Sequence, residues 1–92
     1  MMNYFKVLYY VNGVNTSVLE HLPAEEAYLN GVPGEALLNL DNGGRWHVMN
    51  KDFAVDTMCL LLPGETLRVC WQHSPENGIG DTEHILIMKE TN

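Results

Sequence analysis

Residues 4–18 read YFKVLYYVNGVNTSV and carry the clearest structural signal in the chain. Side chains that alternate in polarity on both sides of Asn12-Gly13 indicate two strands, each with one apolar face. Asn-Gly accepts the positive φ angles that a two-residue hairpin turn requires, so the stretch predicts a β-hairpin whose apolar face is covered by the rest of the chain. In the simplest register, the opposed pairs are Val11 with Val14, Tyr9 with Thr16, and Val7 with Val18.

A short helix is expected near residues 23–30, directly after the hairpin. Pro23 suits a helix start, and Glu25 and Glu26 place negative charge beside the positive end of the helix dipole. Asn30-Gly31 is a typical helix stop, and residues 31–34 predict a hinge or tight turn before the next strand.

Five later segments have the pattern of antiparallel strands, and four of them form pairs that flank turn residues. The last segment has apolar residues on both faces, which is typical of a central position in a sheet. The expected strands are residues 36–40 and 45–49 around a turn at 41–44, residues 57–62 and 66–72 around a turn at 63–65, and residues 83–89.

Residues 50–56 fit either a helical turn or a loop. Cys59 and Cys70 fall inside predicted strands without a Cys-x-x-Cys spacing, so we expect both to act as small hydrophobic residues. Simple alternation in the strand at 66–72 places Leu67, Val69 and Trp71 on one face and Thr66, Arg68, Cys70 and Gln72 on the other.

These elements predict a β-rich α+β fold in a single small globular domain, residues 1–92. The expected architecture is a bent antiparallel sheet or half-open barrel of about five to seven strands, with one short helix near 23–30. An all-β sandwich without a helix is the alternative.

The charge distribution restricts the partners. Between Val7 and Gly44 the chain has five carboxylates and no Lys or Arg, and the whole chain has a net charge of −7 at pH 7. A polyanion is repelled by such a surface, so direct binding to nucleic acid is not expected. The sequence has neither an apolar run of the roughly 18 residues that a membrane helix needs nor the pattern of a signal peptide, so we expect a cytoplasmic protein that does not bind membranes.

No catalytic motif is present, so the sequence predicts a protein that is not an enzyme and has no cofactor. Gly78-Ile79-Gly80 is followed by a predicted strand rather than by the helix that a phosphate-binding loop requires. The loop at 73–84 is long enough to suggest an alternative function as a small-molecule or metal-binding domain. A metal is not expected, and the candidate ligands there would be His73, Asp81, Glu83 and His84.

Aromatic side chains and carboxylates together favour a function in protein binding. Tyr4 and Tyr10 fall on the strand face opposite Phe5, Val7 and Tyr9, so one aromatic set lies at the surface. Exposed tyrosine ringed by carboxylates is typical of a surface that binds a basic protein.

The sequence therefore predicts a small acidic binder that blocks or modulates a larger basic protein. A phage or mobile-element inhibitor of a nucleic-acid-handling defence enzyme, or an immunity protein, would have this character. The residues expected to bind the partner are Tyr10, Glu20, Glu25, Glu26, Glu35 and Asp41. A structural subunit of an assembly that forms homo-oligomers is a further alternative.

Overall fold

A computed structural model describes residues 3–38, 46–73 and 81–91 of the chain. In this part of the chain, five strands form one sheet in the order β2-β1-β5-β4-β3, and every neighbouring pair is antiparallel. The sheet is open, with β2 and β3 at its edges, so the β-rich α+β prediction is confirmed and the sandwich alternative is wrong. The elements are β1 (Phe5–Val11), β2 (Val14–Leu22), α1 (Ala24–Gly31), α2 (Gly34–Leu38), β3 (Trp46–Val48), α3 (Lys51–Leu60), β4 (Thr66–His73) and β5 (Asp81–Lys89).

The first hairpin forms as predicted, but its register differs. Asn12 and Gly13 have φ angles of 50° and 82° and make the turn, and Val11 pairs with Val14. An extra residue in β2 then shifts the pairing by one, so that Tyr9 pairs with Ser17 rather than Thr16, and Val7 with Leu19 rather than Val18. The reason is a β-bulge, in which two residues of β2 lie opposite one residue of β1. The side-chain amide of Asn15 (3.1 Å) and the Thr16 hydroxyl (3.3 Å) both donate hydrogen bonds to the carbonyl of Tyr9 there.

Helix α1 forms where predicted and packs closely on the sheet. Pro23 precedes its first residue, Glu25 and Glu26 lie in the first turn, and the Val32 amide donates to the carbonyl of Tyr28 at its end. Gly31 faces the sheet, and a Cβ atom there would lie 3.4 Å from Cγ2 of Ile85, at ordinary van der Waals contact. Alanine would therefore fit at this position, whereas a longer side chain would push the helix away from the sheet.

The core lies between the helices and one face of the sheet, which we call the helix face. The sheet contributes alternate residues of β1 and β5, as expected for strands with one buried face. The Tyr28 hydroxyl donates a 2.7 Å hydrogen bond to the carbonyl of Met49, so this buried phenol has a partner. The core residues from the sheet are Phe5, Val7, Trp46, Val69, Cys70, Ile85 and Ile87, and those from the helices are Ala27, Tyr28, Ala36, Ala54 and Met58.

Two predicted strands are wrong, because the structure has helices there. The segment predicted as a strand at 36–40 contains α2 up to Leu38, and its remaining residues lie outside the described ranges. The segment predicted as a strand at 57–62 contains the last four residues of α3, followed by an irregular stretch. Asn50 begins α3 by accepting hydrogen bonds from the amides of Asp52 (3.0 Å) and Phe53 (3.2 Å), which satisfies donors that a helix start otherwise leaves unpaired.

The later strands agree better with the sequence. The strand predicted at 83–89 is found within β5, which has the central position in the sheet that the sequence predicted. The strand predicted at 66–72 is found within β4. The turn at 63–65 forms, with Gly64 at φ 87°, although it joins a helix to a strand. A register shift between Arg68 and Cys70 overturns the simple alternation, so that Val69 and Cys70 are both buried.

Candidate functional site

The structure joins Tyr9 of β1 to Glu83 of β5 on the helix face. The two strands pair directly, with Tyr9 opposite Ile85, so Glu83 lies diagonally across from the phenol. The Tyr9 hydroxyl donates a 2.7 Å hydrogen bond to Oε1 of Glu83. Burial, this hydrogen bond and the negative charges of Glu83 and Glu35 raise the pKa of Tyr9 to about 12. The hydroxyl therefore keeps its proton at neutral pH and lies in a negative local field.

A cleft of about 300 Å³ opens beside this hydrogen bond, between the β1–β2 hairpin and the connection from α1 to α2. The buried residues Val7, Gly31 and Ile85 form its floor. We call this the Tyr9 cleft. The other residues that line it, among those the structure describes, are the half-buried Tyr9 and Pro33 and, at the exposed rim, Ser17, Leu19, Asn30 and Glu35.

The bulge in β2 gives the cleft its rim. Because Thr16 is the extra residue, Ser17 pairs with Tyr9 and Leu19 pairs with Val7, which places Ser17 and Leu19 on the helix face. In the register expected from the sequence, both would have pointed away from the helices. Leu19 remains 45% exposed, so the rim has an apolar contact surface as well as polar groups.

The six residues predicted to bind the partner do not form a single surface. Glu35 lines the Tyr9 cleft, and Glu25 and Glu26 are exposed in the first turn of the neighbouring helix. Glu20 is exposed on the edge strand β2, whereas Tyr10 is half-buried on the opposite face of the sheet. Asp41 lies outside the described residues.

The opposite face, which we call the open face, has a row of rings across four strands. His47 pairs with Trp71, Trp71 with His84, and His84 with Tyr10. The Arg68 guanidinium carbon lies 4.1 Å from the centroid of the Trp71 ring, and its Nη1 lies 3.3 Å from Nδ1 of His84. The bulge at Val69 brings Arg68 and Trp71 to the same face, so these groups stabilise one another by cation–π and stacking contacts.

The metal hypothesis for the 73–84 loop gains no geometric support. Glu83 points to the helix face, where it meets Tyr9, and the adjacent His84 points to the open face, where it meets Arg68. The Cα atoms of His73 and Asp81 are register partners, and the loop residues 74–80 lie outside the described ranges. Within those ranges, the structure contains no group of three or more His, Cys, Asp or Glu residues that could hold a metal ion.

The two cysteines differ in environment. Cys70 is buried as predicted, and burial together with the charge of Glu83 raises the pKa of its thiol to about 12, which makes it a poor nucleophile. Cys59 is exposed near the end of α3, so the prediction that it lies in a strand as a small hydrophobic residue is wrong.

No protein-family model, curated protein or solved structure matches this chain. Its own geometry is therefore the basis for any functional interpretation. In the parts of the chain that the structure describes, no helix is long and apolar enough to cross a membrane.

Sequence reasoning missed the pairing of Tyr9 with Glu83. It placed Tyr9 on the apolar face of the hairpin and grouped Glu83 with the possible metal ligands. A signal was present, because a tyrosine at the end of an apolar face needs a partner for its hydroxyl. The partner could not be named until β1 was known to pair with β5.

Proposed function

We propose that this chain is a small, acidic, non-catalytic protein that binds a larger protein with a basic surface and blocks or modulates it. The observation that supports this function is the segregation of charge around the Tyr9 cleft. Glu25, Glu26 and Glu35 lie on two consecutive helices, in a segment without Lys or Arg, and Glu35 lines the cleft. Complementary charge of this kind raises the rate of association and selects the partner more than it raises affinity.

None of the four lysine and arginine residues that the structure describes lies on α1 or α2. Lys6 and Arg68 lie on the open face, Lys51 is the first residue of α3, and Lys89 ends β5 opposite Phe5. A basic partner approaching the helices α1 and α2 therefore meets carboxylates first. We infer that the partner is a nucleic-acid-handling enzyme in the cytoplasm, because a phosphate-binding surface presents the Lys and Arg side chains that such carboxylates would occupy.

The carboxylates of α1 also have a structural role that the experiment has to separate from binding. Glu25 and Glu26 stabilise the helix start through the dipole, by a few tenths to about 1 kcal/mol each. Replacing them therefore costs some stability whether or not a partner exists. A matched pair of carboxylates on another helix provides the control.

The test is affinity capture from nuclease-treated bacterial lysate, with washes at low and high salt and identification by mass spectrometry. Three forms are compared: the wild type, Glu25→Lys with Glu26→Lys, and the control Asp52→Lys with Asp56→Lys on α3. We expect a stoichiometric basic protein to be retained at low salt by the wild type and the control and to be lost by the α1 variant. Equal retention by all three forms would contradict the proposed surface, and absence of any stoichiometric protein would contradict the function.

Self-assembly through β2 is a second candidate. β2 is an edge strand with nine residues, and Val14 and Val18 on it are 64% and 42% exposed. A long edge with exposed apolar residues is a template for pairing with another strand. The mass in solution, measured by light scattering over a range of concentrations, tests this candidate. It predicts a dimer that Val18→Lys dissociates, and a concentration-independent monomer would exclude it.

A further inference from the structure

The Tyr9 cleft combines an apolar floor with a negative rim. Val7 and Ile85 supply methyl groups at the bottom, and Leu19 extends this apolar surface to the edge. At the other end lie the Glu35 carboxylate and the Tyr9 hydroxyl that Glu83 holds at 2.7 Å. Few chemical groups suit both the apolar floor and the negative rim of the cleft. A neutral apolar group would gain nothing from the negative charge of the rim, and a hydrated metal ion would gain nothing from the floor.

The volume of the Tyr9 cleft further limits the kind of ligand that fits. At about 300 Å³, the cleft is at the lower end of the range of about 300–1,000 Å³ in which proteins hold complete small-molecule ligands. One extended amino-acid side chain suits this space better than a cofactor. Lys and Arg side chains have an aliphatic stem that packs on apolar surface and a cationic end that seeks carboxylates.

We propose that the Tyr9 cleft receives a single Lys or Arg side chain of the partner protein, an inference that rests on the proposed function. The stem of that side chain packs against Val7, Leu19 and Ile85. Its cation lies at the rim, beside Glu35 and the Tyr9 hydroxyl that is hydrogen-bonded to Glu83. A Glu83 carboxylate that already accepts a hydrogen bond from the Tyr9 hydroxyl still has acceptor positions for a second donor.

This arrangement assigns different roles to the acidic residues. Glu25 and Glu26 are exposed on α1 and attract the partner from a distance, which affects mainly the association rate. Glu35 and Glu83 act at short range on the cation of the one bound side chain, which affects mainly the dissociation rate. The cleft thus supplies the central contact of the interface, with the α1 carboxylates around it.

Binding to the cleft can be measured without the partner, by NMR of the full chain with labelled methyl groups. N-acetyl-lysine methylamide and N-acetyl-arginine methylamide imitate the side chain, and N-acetyl-norleucine methylamide is the uncharged control. We expect saturable shifts of the Val7, Leu19 and Ile85 methyl signals, with dissociation constants on the order of millimolar, for one or both of the cationic compounds. Norleucine should bind at least about threefold more weakly.

Free n-butylammonium distinguishes a side chain from a free amine. If n-butylammonium shifts these signals and neither blocked amino acid does, the cleft is specific for small amines and the proposal is overturned. Equal shifts with norleucine and with lysine would also overturn it, because the carboxylates would then contribute nothing.

Variants with matched controls show whether the cationic compound binds in the cleft. Glu35→Gln should weaken binding of the cationic compound about threefold to fivefold, whereas Asp56→Asn on α3 should leave it unchanged. Ser17→Phe places a ring over the cleft and should abolish binding. Val18→Phe adds the same ring to the opposite face of the same strand and should bind like the wild type. Thermal unfolding confirms that each variant is folded.

The same variants separate the failure of this inference from the failure of the proposed function. If Ser17→Phe still captures the basic protein while the α1 variant with Glu25→Lys and Glu26→Lys loses it, the surface is correct and the cleft proposal is wrong. If no form captures a protein, the proposed function fails, and the side-chain proposal fails with it even when the blocked amino acids bind.

Discussion

The Tyr9 hydroxyl donates a 2.7 Å hydrogen bond to Glu83, which lies 74 positions later in the chain. The bond crosses the β1–β5 pairing that connects the hairpin to the remaining strands. It therefore fixes one wall of the cleft relative to the central strand. Since Glu83 also acts on the buried Cys70 thiol, one carboxylate influences two groups with raised pKa values.

Stability should fall at alkaline pH. The fold raises the pKa of Cys70 from 9.0 to about 12 and that of Tyr9 from 10.0 to about 12, so the unfolded chain releases these protons at lower pH than the folded chain does. A raised pKa gives stability that is complete below the ordinary value and is lost as the pH rises toward the raised value. We expect the free energy of unfolding, from urea denaturation, to decrease between pH 9 and pH 12.

Tyr9→Phe isolates the contribution of the phenol. Its free energy of unfolding at neutral pH should be lower by about 1 kcal/mol, because Glu83 loses a hydrogen bond. Above the ordinary tyrosine pKa of 10.0, its stability should decrease less steeply than that of the wild type. The same slope in both proteins would show that Tyr9 titrates normally in the fold.

Glu90 is expected to stabilise the fold at neutral pH but not in acid. Desolvation raises its pKa, but hydrogen bonds from the ring and backbone of His21, together with the charges of His21 and Lys6, outweigh this and lower it. A lowered pKa gives stability above the ordinary value of 4.5 that is lost as the pH falls through the folded value. Glu90→Gln should therefore be less stable than the wild type at pH 7, and the difference should shrink in acid. A constant difference at all pH values would argue against this ion pair.

Asn50→Ala should lower the free energy of unfolding by about 1 kcal/mol, because the start of α3 loses its cap. Asn50→Asp keeps a side-chain acceptor and should stay close to the wild type. Urea denaturation of the three proteins provides the comparison. Equal stability of Asn50→Ala and the wild type would mean that α3 does not begin at this residue.

Substitutions of Met58 and Leu60 distinguish a helix from a strand in the segment 57–62. In a strand, residues two apart share a face, whereas in α3 Met58 is buried and Leu60 is 83% exposed. We expect Met58→Ala to lower the free energy of unfolding by about 2–5 kcal/mol and Leu60→Ala to change it by less than about 0.5 kcal/mol. Similar large losses in both variants would support the strand that the sequence suggested.

Local chemistry explains which parts of the fold were predictable. Asn12-Gly13 and Pro23 act through their own φ angles, so the hairpin turn and the start of α1 follow from neighbouring residues alone. The apolar run that begins at Met58 is different. A short run of this kind suits a buried strand or the end of a helix equally well, and the choice depends on Asn50 and on packing under the sheet.

The candidate site was predictable only in part. Glu35 was selected from charge alone, and the structure places it at the cleft. Glu83 was assigned to a different group because nothing in the sequence states that β5 pairs with β1. The bulges at Thr16 and Val69 leave no compositional trace, since an extra residue looks like any other strand residue.

The bulge at Thr16 makes the rim of the Tyr9 cleft depend on strand register as well as on side-chain identity. Deleting Thr16 would remove the extra residue and leave a regular ladder, with Ser17 still opposite Tyr9 and Leu19 still opposite Val7 on the helix face. Loss of the bulge at constant chain length would instead pair Tyr9 with Thr16 and Val7 with Val18, and would turn Ser17 and Leu19 to the open face with every cleft residue still present. A scan by single-residue deletion would therefore pass over this position, whereas substitutions that remove the side-chain hydrogen bonds of Asn15 and Thr16 to the Tyr9 carbonyl would identify it.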